Sequence, residues 1–270
     1  MSEVLCFRDA PGVFAGPEPA AAAPRAPKVT ITHPDGSALL ADLEARMRAG
    51  QGFTLATLNL DHLVKLRGDA AFRDAYAAHS HVVADGNPVV WAHRLAGRPV
   101  RLVPGSDLVG PLVAAAARAG TPVALVGSTE TALARAAAHL EAAHPGLRIA
   151  RRIAPPMGFE PEGASARAVI DGLSDLPAGL CLLALGAPRQ ERFAAHAARH
   201  LPGWGFASVG AGVDFLAGHQ RRAPVWMRRL ALEWVWRLMR DPRRLARRYA
   251  ACAAILPDLA RRALAARLGR

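Results

Sequence analysis

Polar side chains follow two short apolar segments of the chain, at the points where buried strands would end. Thr57 and Asn59 lie two residues apart at the end of FTLAT, and His62 follows one helical turn later. Asp85-Gly86 comes directly after the apolar segment HVVA. A carboxylate placed there, ionised near its ordinary pKa of about 4, can act as a general base toward a hydroxyl group. The alternatives are a helix cap at Asn59 with a surface histidine, and an ordinary Asp-Gly turn.

Two glycine-rich segments could bring backbone groups close to a ligand. GAPRQE (186–191) is a tight turn that leads into a helix, whose first N–H groups and dipole favour an anion. Arg189 and Gln190 would add donors there, and the alternative is an ordinary strand–helix loop. GAGVDF (210–215) matches a dinucleotide-binding fingerprint only weakly, because its third glycine is misplaced.

Short apolar segments alternate along the chain with longer segments rich in alanine, leucine and arginine. This alternation predicts βαβ units, with a mainly parallel sheet and helices on both faces. We therefore expect a Rossmann-like layered α/β fold, in which ligands bind beyond the carboxyl ends of the strands. The predicted strands are FTLAT (53–57), HVVA (81–84), PVALVG (122–127), LRIARRI (147–153), LCLLALG (180–186) and GFASVGAG (205–212). The predicted helices are 59–79, 129–146 and 188–201.

The positive charge of the chain is concentrated at its carboxyl end. The formal net charge is +12, and residues 221–270 carry +11 of it through 14 arginines and 3 acidic residues. We expect a flexible N-terminal tail over 1–28, an α/β core over 29–218 and a basic, amphipathic helical appendage over 219–270. A nearly neutral body with a strongly cationic end predicts a polyanionic partner for that end alone.

Within the segment RRAPVWMRRLALEWVWRLMR (221–240), the residues from Val225 onward are amphipathic when they are projected as a single helix. One ridge of the projection is charged and consists of Arg229, Glu233, Arg237 and Arg240. Most of the remaining circumference is apolar and includes three tryptophans. Such a helix either packs on its own domain or contacts lipid with its apolar face and anionic headgroups with its arginines. Pro242 should begin a second helix.

The cysteines and the hydropathy of the chain favour a cytoplasmic protein. Cys6, Cys181 and Cys252 are far apart and form no CxxC pair, which argues against a disulfide framework or a cysteine zinc site. The N-terminal residues lack the basic region and long apolar core of a signal peptide. No apolar run approaches the ~20 residues that a bilayer-spanning helix needs. We therefore expect association with the membrane to be peripheral.

Several motifs occur together in an order and at a spacing that resemble the WecG/TagA/CpsF glycosyltransferases. The similarity runs from about Phe53 to Tyr249, and its most specific parts are GAPRQE and the tail pattern RAP–LEW–RL–P–R–RRY. The other matching motifs are TLNLDHL, VVADGNPVVWAHRLAGRPV, VPGSDLV, VALVGS, HPGLRI and VGAGVDFLAG.

The resemblance implies an enzyme that moves a sugar from a UDP-sugar to a polyprenyl-diphosphate-linked saccharide at the inner face of the plasma membrane. Members of the family act in exopolysaccharide, teichoic acid or capsule assembly. Their donors include UDP-N-acetylmannosamine, its uronic acid and donors of glucose or galactose. The resemblance also implies an inverting reaction, and without a DxD motif we expect neither a metal nor a cofactor. The oligomeric state stays open, a homo-oligomer included.

Individual residues take their expected roles from the same resemblance. Asp85 matches the proposed catalytic base of the family, while Thr57, Asn59 and Gln190 match residues of its active-site pocket. Further substrate contacts are expected at strand ends and in the shared motifs, from His62, Gly86, Asn87, Gly105, Asp107, Gly127, Gly186, Arg189, Glu191, Gly210 and Asp214. The residues expected to bind the diphosphate or the membrane are Arg222, Trp226, Arg229, Arg237, Arg240, Arg244, Arg247 and Arg248.

Two segments depart from the family pattern. Asn87-Pro88 and Met157-Gly158-Phe159 are unusual and could line the sugar pocket, which leaves the donor sugar undecided.

Three other functions are compatible with parts of the sequence. A non-catalytic, membrane-recruited scaffold is one alternative, and a nicotinamide- or methyl-donor-dependent enzyme, supported by GAGVDF alone, is another. Nucleic-acid binding is disfavoured, because no RRM, helix-turn-helix or zinc-finger spacing is present.

Overall fold

Six parallel strands form one sheet at the centre of the computed structural model, which describes residues 29–218, 223–224, 226–227 and 230–269. The strand order is β2-β1-β6-β5-β3-β4, and each pair of neighbours is parallel. The strands are β1 Phe53–Leu58, β2 His81–Ala84, β3 Val123–Gly127, β4 Ile149–Ile153, β5 Leu180–Ala184 and β6 Gly205–Ser208. The prediction of a Rossmann-like layered α/β fold with a mainly parallel sheet is confirmed.

Eleven helices of the described residues surround the sheet. Those that precede residue 218 are α1 Gly36–Arg48, α2 Leu60–Gly68, α3 Ala70–Ala77, α4 Asn87–Leu95, α5 Gly105–Ala119, α6 Glu130–Ala143, α7 Ala164–Ser174, α8 Arg189–His200 and α9 Gly212–Leu216. The C-terminal helices are α10 Glu233–Arg240 and α11 Pro242–Arg267.

Both faces of the sheet are covered, which explains why its central strands are apolar throughout. On one face, α1, α5, α6 and α9 pack over side chains such as Leu55 and Leu125. The other face has two clusters, one with α7 and α8 around Phe193 and one with α2, α3 and α4 around Phe72. The helices therefore leave the carboxyl edge of the sheet as the place where strand-end residues gather.

The predicted helix over 59–79 is in fact two helices. α2 ends at Gly68, and the side chain of Asp69 then accepts a hydrogen bond of 2.9 Å from the N–H of Phe72 to cap α3. An aspartate in this position competes with the helix by bonding to nearby backbone groups, which favours a new helix start.

The C-terminal segment does not form a single helix from Val225 to Arg240, contrary to the prediction. The backbone of Ala231 is left-handed, with φ of 60°, and α10 begins only at Glu233. Pro242 begins α11 as predicted, at a position where its missing N–H costs nothing.

The long helix α11 is docked against the body of the protein through α2 and α4. Its inward face buries apolar side chains that include Ile255 and Leu259. Two ion pairs join it to α2, Arg67 to Asp258 at 2.6 Å and Arg248 to Asp61 at 2.9 Å.

None of the helices in the described part of the chain combines the length with the apolar character that crossing a bilayer requires. The boundaries of 1–28, 29–218 and 219–270 stay predictions, and the first of these ranges lies outside the described residues.

Candidate active site

The carboxylate of Asp85 is fixed at the end of β2 by its neighbours on the sheet edge. The N–H of Asp85 donates to the carbonyl of Leu58 at 2.7 Å, which ties the ends of β1 and β2 together. Its carboxylate accepts hydrogen bonds from the backbone N–H of Gly105 and from the side chain of Asn59. Gly86 follows with φ of 107°, a conformation that favours glycine and turns the chain into α4.

Asn59 has a structural role and a site role at once. Its Oδ1 accepts from the N–H of His62 at 3.1 Å and so caps α2. Because that bond uses the side-chain oxygen, the amide nitrogen is the group that donates to Asp85. The capping interpretation and the active-site interpretation of Asn59 therefore both hold.

Gly105 allows α5 to approach β1 closely beside Asp85. A Cβ atom at Gly105 would lie 3.0 Å from Oγ1 of Thr57, which is buried and whose hydroxyl points to the carbonyl of Ser208 at 3.5 Å. A Cβ at Gly212 would lie 2.7 Å from Val109 of α5. These two glycines let the starts of α5 and α9 meet over the ends of β1 and β6.

A buried polar cluster lies behind Asn59, at the start of α8. Nε2 of Gln190 donates to Oε1 of Glu191 at 2.7 Å, and Nδ1 of His62 lies 2.6 Å from the hydroxyl of Tyr76. Burial raises the pKa of Glu191 to about 7 and lowers that of His62 to about 3. His62 is therefore a neutral, buried residue and not the surface histidine of the alternative interpretation.

The GAPRQE turn uses several of its backbone groups within the protein. The N–H of Gln190 donates to the carbonyl of Gly186 at 3.1 Å, and Nζ of Lys65 donates to the carbonyl of Ala187 at 3.0 Å. Gly186 and Arg189 are the exposed residues of this turn. Of the amides in this turn, that of Gln190 is used within the protein, so an anion bound here would meet the Arg189 guanidinium together with other N–H groups of the turn.

The carboxyl ends of β3 and β6 form the other half of the crevice. The hydroxyl of Ser128, directly after Gly127, donates to Oδ1 of Asp214 in α9. Gly210 has φ of 56°, and a Cβ there would lie 4.0 Å from Nε2 of Gln190. The predicted residues Gly127, Gly210, Gln190 and Asp214 are therefore brought to the same edge as Asp85.

The first C-terminal helix, α10, lies at the mouth of this crevice. Nη2 of Arg237 pairs with Oε1 of Glu233 at 2.8 Å, and its guanidinium carbon lies 5.7 Å from the centre of the Phe215 ring. Burial raises the pKa of Asp85 to about 6, Arg237 opposes this rise, and Glu233 adds to it. The appendage thus contributes charged groups to the electrostatic environment of the candidate base.

Several apolar side chains of the appendage are exposed to solvent. α10 buries none of its residues completely. The exposed fractions are 60% for Trp226, 63% for Leu230, 50% for Trp234 and 61% for Met239. A contiguous patch of exposed apolar side chains, unlike single scattered ones, marks an interaction surface.

The arginines expected to bind a diphosphate or a membrane have different surroundings. Arg248 pairs with Asp61 of α2, and Arg244 pairs with Asp241 at 2.5 Å, so both stabilise the docking and the start of α11. Arg240 lies over the ring of Trp236, and Arg247 is exposed. Arg222 and Arg229 lie outside the described residues.

The remaining predicted residues have mixed positions. Asn87 is the first residue of α4, and Asp107 is in the first turn of α5, where its charge suits the helix dipole. Met157 is fully exposed, whereas Phe159 is buried against Phe193 at 5.5 Å between ring centres. Phe159 is therefore a core residue and does not line a sugar pocket.

Two residues of the site were not predicted from the sequence. Glu233 influences Asp85, and the spacing of Glu233 and Arg237 along one ridge was the signal that pointed to it. Tyr76 holds His62 behind Asn59, and the sequence around it carries no signal for that role.

A comparison with protein families agrees with this arrangement of residues. The family model described as the glycosyl transferase WecG/TagA/CpsF family matches residues 26–270. The match includes both the α/β body and the helical appendage that reaches the crevice. The chain belongs to the WecG/TagA/CpsF family of glycosyltransferases.

Proposed function

We propose that this glycosyltransferase moves a hexose-type sugar from a UDP-sugar to a polyprenyl-diphosphate-linked saccharide, with inversion and without a metal. The reaction would take place at the inner face of the plasma membrane during exopolysaccharide, teichoic acid or capsule synthesis. The observation that carries the proposal is the position of Asp85, held at the sheet edge by Asn59 and Gly105 with Arg237 beside it.

The proposed reaction is a single displacement at the anomeric carbon of the donor. The acceptor hydroxyl forms the new C–O bond while the bond from the anomeric carbon to the β-phosphate oxygen of UDP breaks. Asp85 takes the hydroxyl proton, and UDP leaves with the bonding electron pair on the opposite face. One carboxylate on the acceptor side is sufficient for this chemistry.

The environment of Asp85 suits the role of general base. A pKa of about 6 leaves the carboxylate mostly ionised at neutral pH, yet it is a stronger base than an ordinary aspartate. The Asn59 amide and the Gly105 N–H stabilise the ionised form and fix its direction. A base that is both ionised and oriented loses little freedom when the acceptor arrives.

The departing diphosphate gains negative charge that the protein must stabilise. In a metal-free reaction the donors are cationic side chains, and a guanidinium offers a planar pair of N–H groups to phosphate oxygens. Arg237, supported against Phe215 at the mouth of the crevice, is the first candidate of the described residues. Arg189, exposed on the GAPRQE turn, is the second.

The appendage supplies a reason for the acceptor to be carried by a lipid. Its exposed tryptophan, leucine and methionine side chains can enter the headgroup region, while its arginines are attracted to anionic lipids. Because α10 lies at the crevice mouth, the same contact would bring a membrane-borne diphosphate to Asp85.

A UDP-release screen tests the proposal. UDP-N-acetylmannosamine, UDP-glucose, UDP-galactose and UDP-glucuronate are each offered with a lipid-diphosphate-linked sugar in anionic vesicles. We expect one of these donors to release UDP only when the acceptor is present, and Asp85→Asn to abolish the release. A scaffold would bind the vesicles without releasing UDP from any donor, and that result would contradict the proposal.

A further inference from the structure

Two histidines and one aspartate meet at the amino end of β2, the opposite end from Asp85. His33 precedes α1, Asp42 lies within α1, and His81 is the first residue of β2. One side-chain nitrogen or oxygen of each lies within 4.8 Å of the others. Asp85 is four residues further along, roughly 13 Å away at the rise of a β-strand. The cluster is thus separate from the candidate active site.

The three side chains converge on a single point. Nε2 of His81 lies 2.6 Å from Oδ2 of Asp42, and Nε2 of His33 lies 4.0 Å from the same oxygen. The two imidazole rings are stacked, with 5.0 Å between their centres. His81 is buried, whereas His33 and Asp42 are partly exposed, so an ion can reach the cluster from solvent.

The outward ring nitrogens of both histidines contact hydroxyl groups. Nδ1 of His81 lies 2.8 Å from Oγ of Ser80, and Nδ1 of His33 lies 3.1 Å from Oγ1 of Thr32. Oγ of Ser80 also lies 3.2 Å from the carbonyl of Thr54 and can donate its proton there. In this arrangement Nε2–H of His81 donates to Oδ2 of Asp42 at 2.6 Å. When an ion takes the place of that proton, Nδ1 carries the proton instead and donates to Oγ of Ser80. Such outer partners orient the histidine ligands of metal sites.

We propose that His33, Asp42 and His81 bind a divalent transition-metal ion of the zinc type. Two imidazole nitrogens and one carboxylate, with water in the fourth position, form a common zinc environment. In a tetrahedral site the ligand atoms lie about 3.3 Å apart, given metal–ligand bonds of about 2.0 Å. The His81–Asp42 contact must widen and the His33–Asp42 contact must shorten, each by less than about 1 Å. The two histidine nitrogens, which lie within 4.8 Å of each other, must approach by at most about 1.5 Å, and side-chain rotation can supply these shifts.

The guanidinium of Arg46 competes with an ion for the cluster. Nε of Arg46 donates to Oδ2 of Asp42 at 3.0 Å from one turn further along α1. An incoming cation would displace this partly exposed pair or move it to the other carboxylate oxygen. Replacing Arg46 should therefore strengthen metal binding. If the cluster served only as a structural ion pair, this replacement would have no such effect.

The bound ion would hold the first described segment of the chain to the sheet. Thr32 already makes two hydrogen bonds to β2. Its N–H donates to the carbonyl of Val82 at 2.9 Å, and its Oγ1 accepts from the N–H of Val82 at 2.8 Å. A metal joining His33, α1 and His81 would close this segment over the edge of the sheet. Its role would be to stabilise the fold and not to take part in sugar transfer.

Zinc titration of the full chain by calorimetry tests the proposal, with Co²⁺ absorption as a second measurement. The variant His196→Ala serves as the parent, because His196 and His200 lie one turn apart on α8 with 4.6 Å between their rings and could bind zinc themselves. His33→Gln and Asp42→Asn remove ligands, Arg46→Gln removes the competitor, and His139→Gln on the exposed face of α6 is the matched control.

We expect one zinc ion per chain, bound at least about tenfold more weakly after His33→Gln and unchanged after His139→Gln. Arg46→Gln should tighten binding, and free zinc at 100 times Kd should raise Tm by roughly 5–10 °C. Co²⁺ should give the visible absorption of a four-coordinate site in the parent but not in Asp42→Asn. Zinc binding that is absent, or that is the same in His33→Gln and Asp42→Asn as in the parent, would overturn the proposal.

Discussion

Arg237 of the C-terminal appendage lies close enough to Asp85 of the α/β body to change the pKa of its carboxyl group. Burial raises that pKa to about 6, and Arg237 exerts the strongest opposing effect. The cationic end of the chain is therefore part of the site, although its composition suggests only a binding surface. The helix that carries the exposed Trp234 and Met239, α10, also shapes the electrostatic environment of the candidate base.

Asp85→Asn should reduce transfer severely and leave UDP binding nearly intact. The amide keeps the size of the side chain but cannot take the proton from the acceptor hydroxyl. General-base catalysis typically contributes about 10²–10⁴-fold to the rate, and a loss of that size is expected. UDP release gives the rate and calorimetry gives the UDP affinity. Asp74→Asn, on the exposed face of α3, is the matched control and should behave as the parent. Unchanged turnover of Asp85→Asn would remove Asp85 as the base.

Replacing the exposed apolar side chains of the appendage should weaken membrane binding without unfolding the protein. The variants Trp226→Ser, Leu230→Ser, Trp234→Ser and Met239→Ser, combined, remove side chains that are each at least half exposed. Sedimentation with anionic vesicles measures the binding. It should fall about tenfold or more, because the variant lacks several apolar side chains that would be buried in the headgroup region of the membrane.

The matched control for membrane binding is Met157→Ser, which removes an exposed methionine from the body. Point variants are preferable to deletion of 221–270, because deletion would uncover the apolar surface of α2 and α4 that Ile255 and Leu259 cover. Vesicle binding that survives the combined variant would place the membrane contact elsewhere.

Asp258→Asn should loosen the docking of α11 and lower the free energy of unfolding by roughly 1 kcal/mol. Asp258 pairs with Arg67 of α2 and also with Arg261 and Arg262 of its own helix. Hydrogen bonds to Arg261 and Arg262 outweigh its partial burial and lower its pKa. Urea unfolding measures the loss, with Asp171→Asn, exposed on α7, as the control.

The pH dependence of that loss has a definite sign. A folded-state pKa below the unfolded value of about 4 means that the pairing stabilises the protein above pH 4 and loses its effect as the pH falls below it. The difference between Asp258→Asn and the parent should therefore shrink on acidification. A difference that is constant from pH 7 to pH 3 would show that the ion pairs do not hold α11.

Chelation should leave the initial rate of transfer unchanged. EDTA removes free divalent ions, and the proposed zinc cluster at His33, Asp42 and His81 lies at the far end of β2 from Asp85. EDTA could lower Tm through that cluster while the rate at 25 °C stays the same. Strong inhibition of the rate that Mg²⁺ reverses would contradict a metal-free reaction.

The sheet could be predicted from the sequence because most of its strands are short apolar runs followed by a turn residue, the exception being the edge strand β4 with Arg151 and Arg152. The predicted ends of β5 and β6 are too long, since Gly186 and Gly210 have φ of 73° and 56° and already turn the chain away. The helices α1, α4 and α5 carried weaker signals, because each begins at or near glycine or proline without a long apolar period.

The presence of Asn59 and Asp85 at one edge of the sheet could also be predicted, since parallel strands end at the same edge. Their hydrogen bond depends on β1 and β2 being neighbours, which only the structure shows. The approach of Arg237 could not, because it depends on the path of the appendage and on the backbone break at Ala231. The meeting of His33 with His81 likewise depends on tertiary packing between segments far apart in sequence.

The pH dependence of kcat/KM tests the central claim, that Asp85 is the base and that α10 sets its environment. The parent should lose activity as the pH falls through about 6, because protonated Asp85 cannot accept the acceptor's proton. Arg237→Gln should move this limb to higher pH and Glu233→Gln to lower pH, each by about one unit or less. A limb that stays at one pH in all three proteins, or is missing from the parent, would contradict the account.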